Sequence, residues 1–331
     1  MNKTNRGVLF ILIKRLFFSV IVLFLSISFL FILLRISPGD PLQKFISPEL
    51  SPQLAEKVRT TFHLDGTILE QYSNFLSSLA KLDFGISYQY REPVFSVIMD
   101  YLPFTLVLMC ISFIVQLLLS FSSLFIIKNR FGGKADKALG NFTLALYSTP
   151  SFVIAVILIY IFSLKLNLFP AADLRSFDFN DLSFAGKIAD YFRHLTLPVL
   201  TLSVTGSVIF FKYLRDNLES LYSKTFITYL RSIGMKEKEI FKRHILPNAA
   251  GPFISVAGIE VGLLLGGALI TEAIFSLPGM GRLTISAILM RDYPLVIGCS
   301  LMSGILMLLT NFISDMIRAL IDKQTVAEIL S

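Results

Sequence analysis

Residues able to do chemistry are few in this chain, and their spacing argues against catalysis. Gly132-Gly133-Lys134 has neither the spacing nor the hydroxyl of a phosphate-cradling loop, so no nucleotide site is present. If ATP powers this protein, its site is on another subunit. His63, His194 and His244 are scattered without ligand spacing, which assigns no metal. Cys110 and Cys299 both lie in apolar runs, so no disulfide framework is expected. No Ser/His/Asp or Cys/His set recurs in a pattern that suggests an intramembrane hydrolase. No catalytic residue is assigned. What remains is Glu260, a carboxylate alone inside an apolar run, with Asn311 and Asp315 one helical turn apart in another. Intramembrane polar groups are expensive and must face protein or water.

The elements that position these residues are read from hydropathy. Of 331 residues 54% are hydrophobic and 16% charged, with mean hydropathy +0.70. A soluble chain carries roughly a quarter charged residues, so this is an all-α integral membrane protein. A span needs about 20 apolar residues, and six are expected: 16–34, 102–127, 139–164, 195–213, 252–272 and 295–319. The first is too long for a cleaved signal and lacks a small-residue cleavage site, so it is expected to stay. Pro198 falls near the start of the fourth, where a missing N–H costs least.

The net charge of +7 does not point to nucleic acid, because the excess follows the positive-inside bias. Lys3, Arg6, Lys14 and Arg15 place segment 1–15 in the cytoplasm. Lys128, Arg130, Lys134 and Lys137 against Asp136 do the same for 128–138. Segment 212–244 holds eight Lys or Arg against four acids. Segments 35–101, 165–194 and 273–294 are balanced and read as extracytoplasmic, which leaves 214–251 and 320–331 inside with both termini. The first external segment is expected to be partly helical, over 52–64 and 68–80, either as a functional cap or simply as packing on the spans.

The long polar stretch 221–251 is unusual between two spans. Thr225–Ile233 reads as a short helix ended by Gly234, suited to a left-handed cap. Lys236–His244 reads as a second helix, with Ile240, Phe241 and Ile245 on one side. Tyr229, Leu230, Ile233 and Met235 are expected at the tip of this elbow, with Arg231 between them. Two readings stand: a docking surface for a separate motor protein, or an amphipathic helix held by lipid headgroups.

In the fifth span Gly258, Gly262 and Gly266 recur every four residues, a stripe that admits a close helix, static or sliding. Pro278, Gly279 and Gly281 predict a tight turn at the outer end of that span, either a contact and gate at an external mouth or a rigid connector.

The motifs together resemble binding-protein-dependent ABC importer permeases of the peptide/nickel branch, over nearly the whole chain. Gly234 followed by Leu246-Pro247 is similar to that family's loop signature. Ile36-Ser37-Pro38-Gly39-Asp40-Pro41, Leu82-Asp83-Phe84-Gly85-Ile86-Ser87 and Pro150-Ser151-Phe152 resemble its Pro-Gly-Asp-Pro, Asp-Phe-Gly-x-Ser and Ser-x-Pro-x-Phe elements. His244 to Pro252, Glu272 to Gly281, Arg291-Asp292-Tyr293-Pro294, and Asn311 with Asp315 follow in the family's order. Thr228-Tyr229-Leu230 stands in place of the usual Glu-Ala-Ala, Asp322-Lys323-Gln324 in place of Asp-Pro-Arg, and Glu260 in place of an uncharged residue.

The resemblance implies a type I importer fold in a bacterial cytoplasmic membrane. It implies a second homologous permease subunit, two ATPase subunits carrying ATP and magnesium, and an extracytoplasmic substrate-binding protein. No cofactor is expected on this chain. Cargo is a short peptide or a nickel-type complex. Glu260 then either lines the path and favours a positively charged substrate, or pairs with an Arg or hydroxyl of the partner permease. A secondary transporter or channel for small cationic solutes is the alternative. It predicts more intramembrane ionisable groups and internal inverted repeats, neither of which is found.

Overall fold

The computed structural model describes the backbone of residues 3–36, 67–127 and 132–321, and among these every regular element is helical. Among the described residues eleven α-helices follow in order: α1 (Lys3–Ile36), α2 (Ile68–Ala80), α3 (Val94–Ile127), α4 (Lys134–Tyr147), α5 (Ser151–Leu158), α6 (Phe184–Tyr222), α7 (Thr225–Ser232), α8 (Glu237–Ile240), α9 (Leu246–Ile274), α10 (Met280–Met290) and α11 (Tyr293–Ile321). Among the described residues five helices are long and apolar enough to cross a membrane, six if one bent pair counts as a span.

That bent pair is the third expected span. In place of one helix over 139–164, α4 and α5 meet at 102°. Pro150 sits at the break as the residue capping α5. It lacks an N–H and pushes Thr149 out of the helical region, so the helix cannot run through. The fourth span differs in the other direction. α6 has 39 residues and begins at a Ser183 cap that accepts the Gly186 N–H at 3.2 Å, so Pro198 lies well inside it. At 1.5 Å per residue α6 is about 58 Å long, far more than a bilayer core requires.

The expected helix over 68–80 is α2, started by a reciprocal Thr67/Glu70 capping box. The expected helix over 52–64 and the 36–41 motif beyond Ile36 lie outside the described residues, as do Lys128, Arg130, His63 and Asp322-Lys323-Gln324. Segment 273–294 is more than a turn, since it contains the 11-residue α10.

The chain divides into two compact units. One comprises Met1–Leu16, Leu106–Leu277 and Met307–Ser331. Its packing centres on α6. Ser203 Oγ donates to the Ser112 carbonyl at 2.9 Å and Ser120 Oγ to the Ser207 carbonyl at 2.9 Å, tying α3 to α6. Gln116 lies directly over Gly206, where a Cβ would come within 2.0 Å of its amide nitrogen; glycine is required for that approach. At the foot of α6, Arg215 holds Asp136 of α4 through two 2.7 Å bonds.

The other unit comprises Phe17–Thr105 and Pro278–Leu306. Its core joins Val94, Val97, Ile98 and Leu102 of α3 to Leu283 and Ala287 of α10 and to Leu295, Val296 and Cys299 of α11. Phe31 of α1 stacks on Phe75 of α2 with ring centroids 5.0 Å apart. Thr105 Oγ1 accepts the Met280 N–H at 2.8 Å and so starts α10.

Candidate functional site

The elbow after α6 is built by a helix stop. Gly234 has φ +82°, the left-handed region that disfavours any side chain. Its N–H donates to the Arg231 carbonyl at 3.0 Å, and the Met235 N–H donates to the Leu230 carbonyl at 3.1 Å. This is the Schellman pattern, in which apolar residues at the positions of Leu230 and Met235 meet. Both pack on a buried cluster of Leu221, Ile227, Ile240, Ile245 and Ala249. Leu230 and Met235, expected at the exposed tip, are therefore turned inward and brace the elbow.

Tyr229 and Ile233 remain exposed, at 63% and 57%, and Phe226 joins them at 37%. These three stand at i, i+3 and i+7 and share one helix face. Phe226 was not expected, although this spacing is legible in the sequence. Arg231 also faces out, and its Nε donates to Glu237 Oε1 at 2.6 Å, linking α7 to α8. The Glu237 carboxylate holds the Arg231 guanidinium above its ordinary range. Such an exposed pair orients the loop more than it stabilises it.

The second helix of the elbow departs from the expected Lys236–His244. α8 spans only Glu237–Ile240 and passes into a π-helical turn, Phe241–Ile245, before α9. The wider turn sets Ile240 and Ile245 on the same side, both fully buried. Phe241, expected beside them, is 38% exposed for the same reason. The buried cluster thus joins three things: the elbow helix through Ile227, the end of α6 through Leu221, and the start of α9 through Ala249. The elbow helix and the ends of both long helices share one core.

Glu260 is only 3% exposed. Its Oε2 accepts from Gln116 Nε2 of α3 at 3.0 Å. Neither an open path nor a partner chain is needed to place it, and its neighbour is 144 residues away in sequence. Its Oε1 and Gln116 Oε1 are buried without hydrogen-bond partners among the described residues. An amide at 260 would bring a donor to that second oxygen. Glu260→Gln should therefore leave the thermal midpoint unchanged or raise it, by up to about 1 kcal/mol of stability. It should also leave the preference between cationic and neutral cargo unaltered. A loss of cationic preference in uptake competition would return Glu260 to the path.

The glycine stripe of α9 is uneven. A Cβ on Gly258 would lie 2.3 Å from Ser314 Oγ and 2.4 Å from its Cβ, whereas at Gly262 the nearest atom is Met307 Cγ at 3.4 Å. Nothing lies within 4 Å at Gly266. The close seam is with α11 at Gly258, where Ser314 Oγ also donates to the Ile254 carbonyl at 2.9 Å. Gly258→Ala should destabilise the protein by about 1–3 kcal/mol through overpacking. Gly266→Ala should be neutral or slightly stabilising, and paired thermal melts check both.

Of the outer-turn residues only Pro278 is exposed; Gly279 and Gly281 are buried. Asp315 of α11 forms an ion pair with Arg15 of α1.

Two contacts were invisible in the sequence. Ser87 and Asp292, from motifs 205 residues apart, meet in a 2.5 Å hydrogen bond donated by the serine hydroxyl. Asp292 is fully buried and also accepts the Gln89 N–H at 3.0 Å and the Leu295 N–H at 3.3 Å. Ser176, Asp190 and His194 form a cluster that the sequence did not announce. Asp190 accepts the Ser176 N–H at 3.0 Å and its hydroxyl at 2.5 Å. His194 Nε2 lies 3.2 Å from the hydroxyl, while Nδ1 faces the Asp173 carbonyl at 2.8 Å. The carboxylate thus grips the serine, not the far side of the imidazole, which is the reverse of a nucleophile-activating order. The cluster staples loop 172–176 onto α6. Among the described residues no three His, Cys, Asp or Glu side chains approach closely enough to hold a metal ion.

Comparison with known proteins shows the family. The family model described as "Binding-protein-dependent transport system inner membrane component" matches residues 121–326. A second, "Binding-prot-dependent transport system membrane comp, N-term", matches residues 8–109. The chain is similar to the oligopeptide transport system permease protein AppB of Bacillus subtilis, 30% identical over 313 residues that cover 94% of this chain and 97% of AppB. It is also similar to the nickel import system permease protein NikB of Staphylococcus aureus, 29% identical over 314 residues, 94% of this chain and 90% of NikB. The first match alone covers more than half the sequence, and the elbow lies within it, so the chain belongs to the binding-protein-dependent transport system inner membrane components, as an ABC importer membrane subunit of the peptide/nickel branch.

Proposed function

We propose that this chain pairs with a second homologous permease subunit and that cargo passes between them, driven by two separate ATPase subunits that bind ATP and magnesium. An extracytoplasmic binding protein delivers the cargo, a short peptide or a nickel-type complex. The observation that carries this reading is the Phe226-Tyr229-Ile233 face. Three apolar side chains stand out on an elbow braced by a buried cluster, in a loop with an excess of Lys and Arg. Exposed apolar groups held this firmly suit a protein partner. The loop's excess of Lys and Arg supports a cytoplasmic position, with both termini on the same side of a bacterial cytoplasmic membrane.

Coupling then needs no chemistry on this chain. Closure of the ATPases moves the elbow, the shared core passes the motion to α6 and α9, and the balance between inward-open and outward-open states shifts. Pro278, at the opposite end of α9, is the exposed part of the mouth offered to the binding protein.

Purification in mild detergent tests the assembly. Two nucleotide-binding subunits and a second permease should accompany the chain. Cargo uptake into vesicles holding this chain alone would overturn the reading in favour of a self-sufficient transporter.

A further inference from the structure

Where α3 meets α9, Gln116 and Glu260 are joined by one hydrogen bond and closed off from water. Gln116 is completely buried. Its amide lies against Gly206 of α6, too close to admit even a methyl group, so no water fits between them. A carboxylate in such a place must be matched by an opposite charge or by several donors. Glu260 has one neutral donor, and its Oε1 has none among the described residues.

The helices around it supply no cation. α3, α5, α6 and α11 all pack on α9. Their stretches 106–127, 151–158, 195–211 and 307–314 contain no Asp, Glu, Lys, Arg or His. The one titratable side chain they carry is Cys110, which is exposed. On α9 itself the other charged residue is Glu272, again an acid, about 18 Å further along the helix. A partner chain cannot reach a group that this chain already encloses. One positive charge is wanting, and the ligand small enough to enter a closed seam is a proton.

We propose that Glu260 is a buried proton-binding site, with the proton on Oε1 and the carboxyl group held in place by Gln116 through Oε2. The group is then neutral, its Oε2 still accepts from Gln116 Nε2, and no bare charge is left inside a membrane span. The proton is taken from water and returned to it, so the packing of α9 on α3 is linked to the uptake of one proton. A conformation that wets Glu260 releases that proton. Alkaline medium therefore favours the wetted conformation, and acid medium favours the packed one. The site is read from the α3–α9 seam alone and goes beyond the transport reading without depending on it.

Infrared spectroscopy of the full chain, with its copurifying subunits in phospholipid nanodiscs, tests this at about pH 7, where a carboxyl group in water is ionised. The difference between wild type and Glu260→Gln should contain the carbonyl stretch of a carboxylic acid, which the variant loses. A difference that contains only carboxylate bands would overturn the site. Gln116→Leu keeps the acid and removes its donor, so the same band should remain and move to higher frequency. This second variant reads the site even if Glu260→Gln fails to fold. A carboxylic acid band that does not move in Gln116→Leu belongs to another side chain and would overturn the assignment. The spectra are taken without nucleotide or cargo, so neither result bears on ATP-driven uptake, which is measured separately.

Discussion

Ile233→Asp should lower ATP-driven uptake by roughly tenfold or more, because an apolar anchor at the centre of an interface typically carries 2 kcal/mol or more. Thermal stability and the amount of folded protein should stay near wild type. Both halves of this expectation come from one placement: Ile233 is 57% exposed, and the core of the elbow is made by other residues. Tyr229→Asp should behave alike. Leu230→Asp should not, since Leu230 packs on the cluster of Ile227 and Ile240, and a charge there loosens the elbow itself. Gly234→Pro should be the most severe of the series. It removes an N–H bonded to the Arg231 carbonyl and demands φ near −65° where the chain holds +82°. ATPase activity measured beside uptake in vesicles reads the difference: ATP hydrolysis that persists without transport marks a broken coupling. If Ile233→Asp transports normally, the exposed face is not where the motor docks, and a lipid-facing role for the elbow takes its place.

The position of the elbow was legible because composition changes abruptly there and Gly234 follows a short amphipathic pattern. Which side chains face out was not. Leu230 and Ile233 are equally apolar and three residues apart, and only the paired hydrogen bonds around Gly234 decide that one turns in. The π-turn at Phe241–Ile245 has no signature in residue types, so the face assigned from a 3.6 period was right for Ile240 and Ile245 but not for Phe241. The break of the third span was foreshadowed by Pro150, a residue that cannot continue a helix, yet the apolar run on either side reads as continuous. Glu260 shows the deeper limit. Its cost in a membrane was readable, while its partner Gln116, on another helix, was not. Local rules place elements; they do not pair distant polar groups.

The Ser87–Asp292 contact shows how much can rest on such a pair. Asp292→Ala should destabilise the unit that contains it by about 3 kcal/mol or more, since each buried donor left unpaired costs about 1–3 kcal/mol. Three donors converge on this carboxylate: the Ser87 hydroxyl, the Gln89 N–H and the Leu295 N–H. Removing it orphans all three in a site closed to water, and buried donors cannot find new partners there. The Ser87 hydroxyl oxygen also accepts the Tyr90 N–H at 3.1 Å, so the loss should extend along the 83–93 turn. Asp292→Asn keeps an oxygen but brings an N–H₂ where every neighbour donates, and should recover only part of the stability. Ser87→Ala should cost less than Asp292→Ala, because the two backbone N–H groups keep their acceptor. The order Asp292→Ala, Asp292→Asn, Ser87→Ala, from most to least destabilised in thermal melts of the purified chain, follows from counting the donors each change leaves unpaired. Equal midpoints for all three would mean that the turn and the start of α11 are held by the surrounding apolar core of Val94, Leu295 and Val296. In that case the short bond would be a consequence of the packing, with no share in causing it.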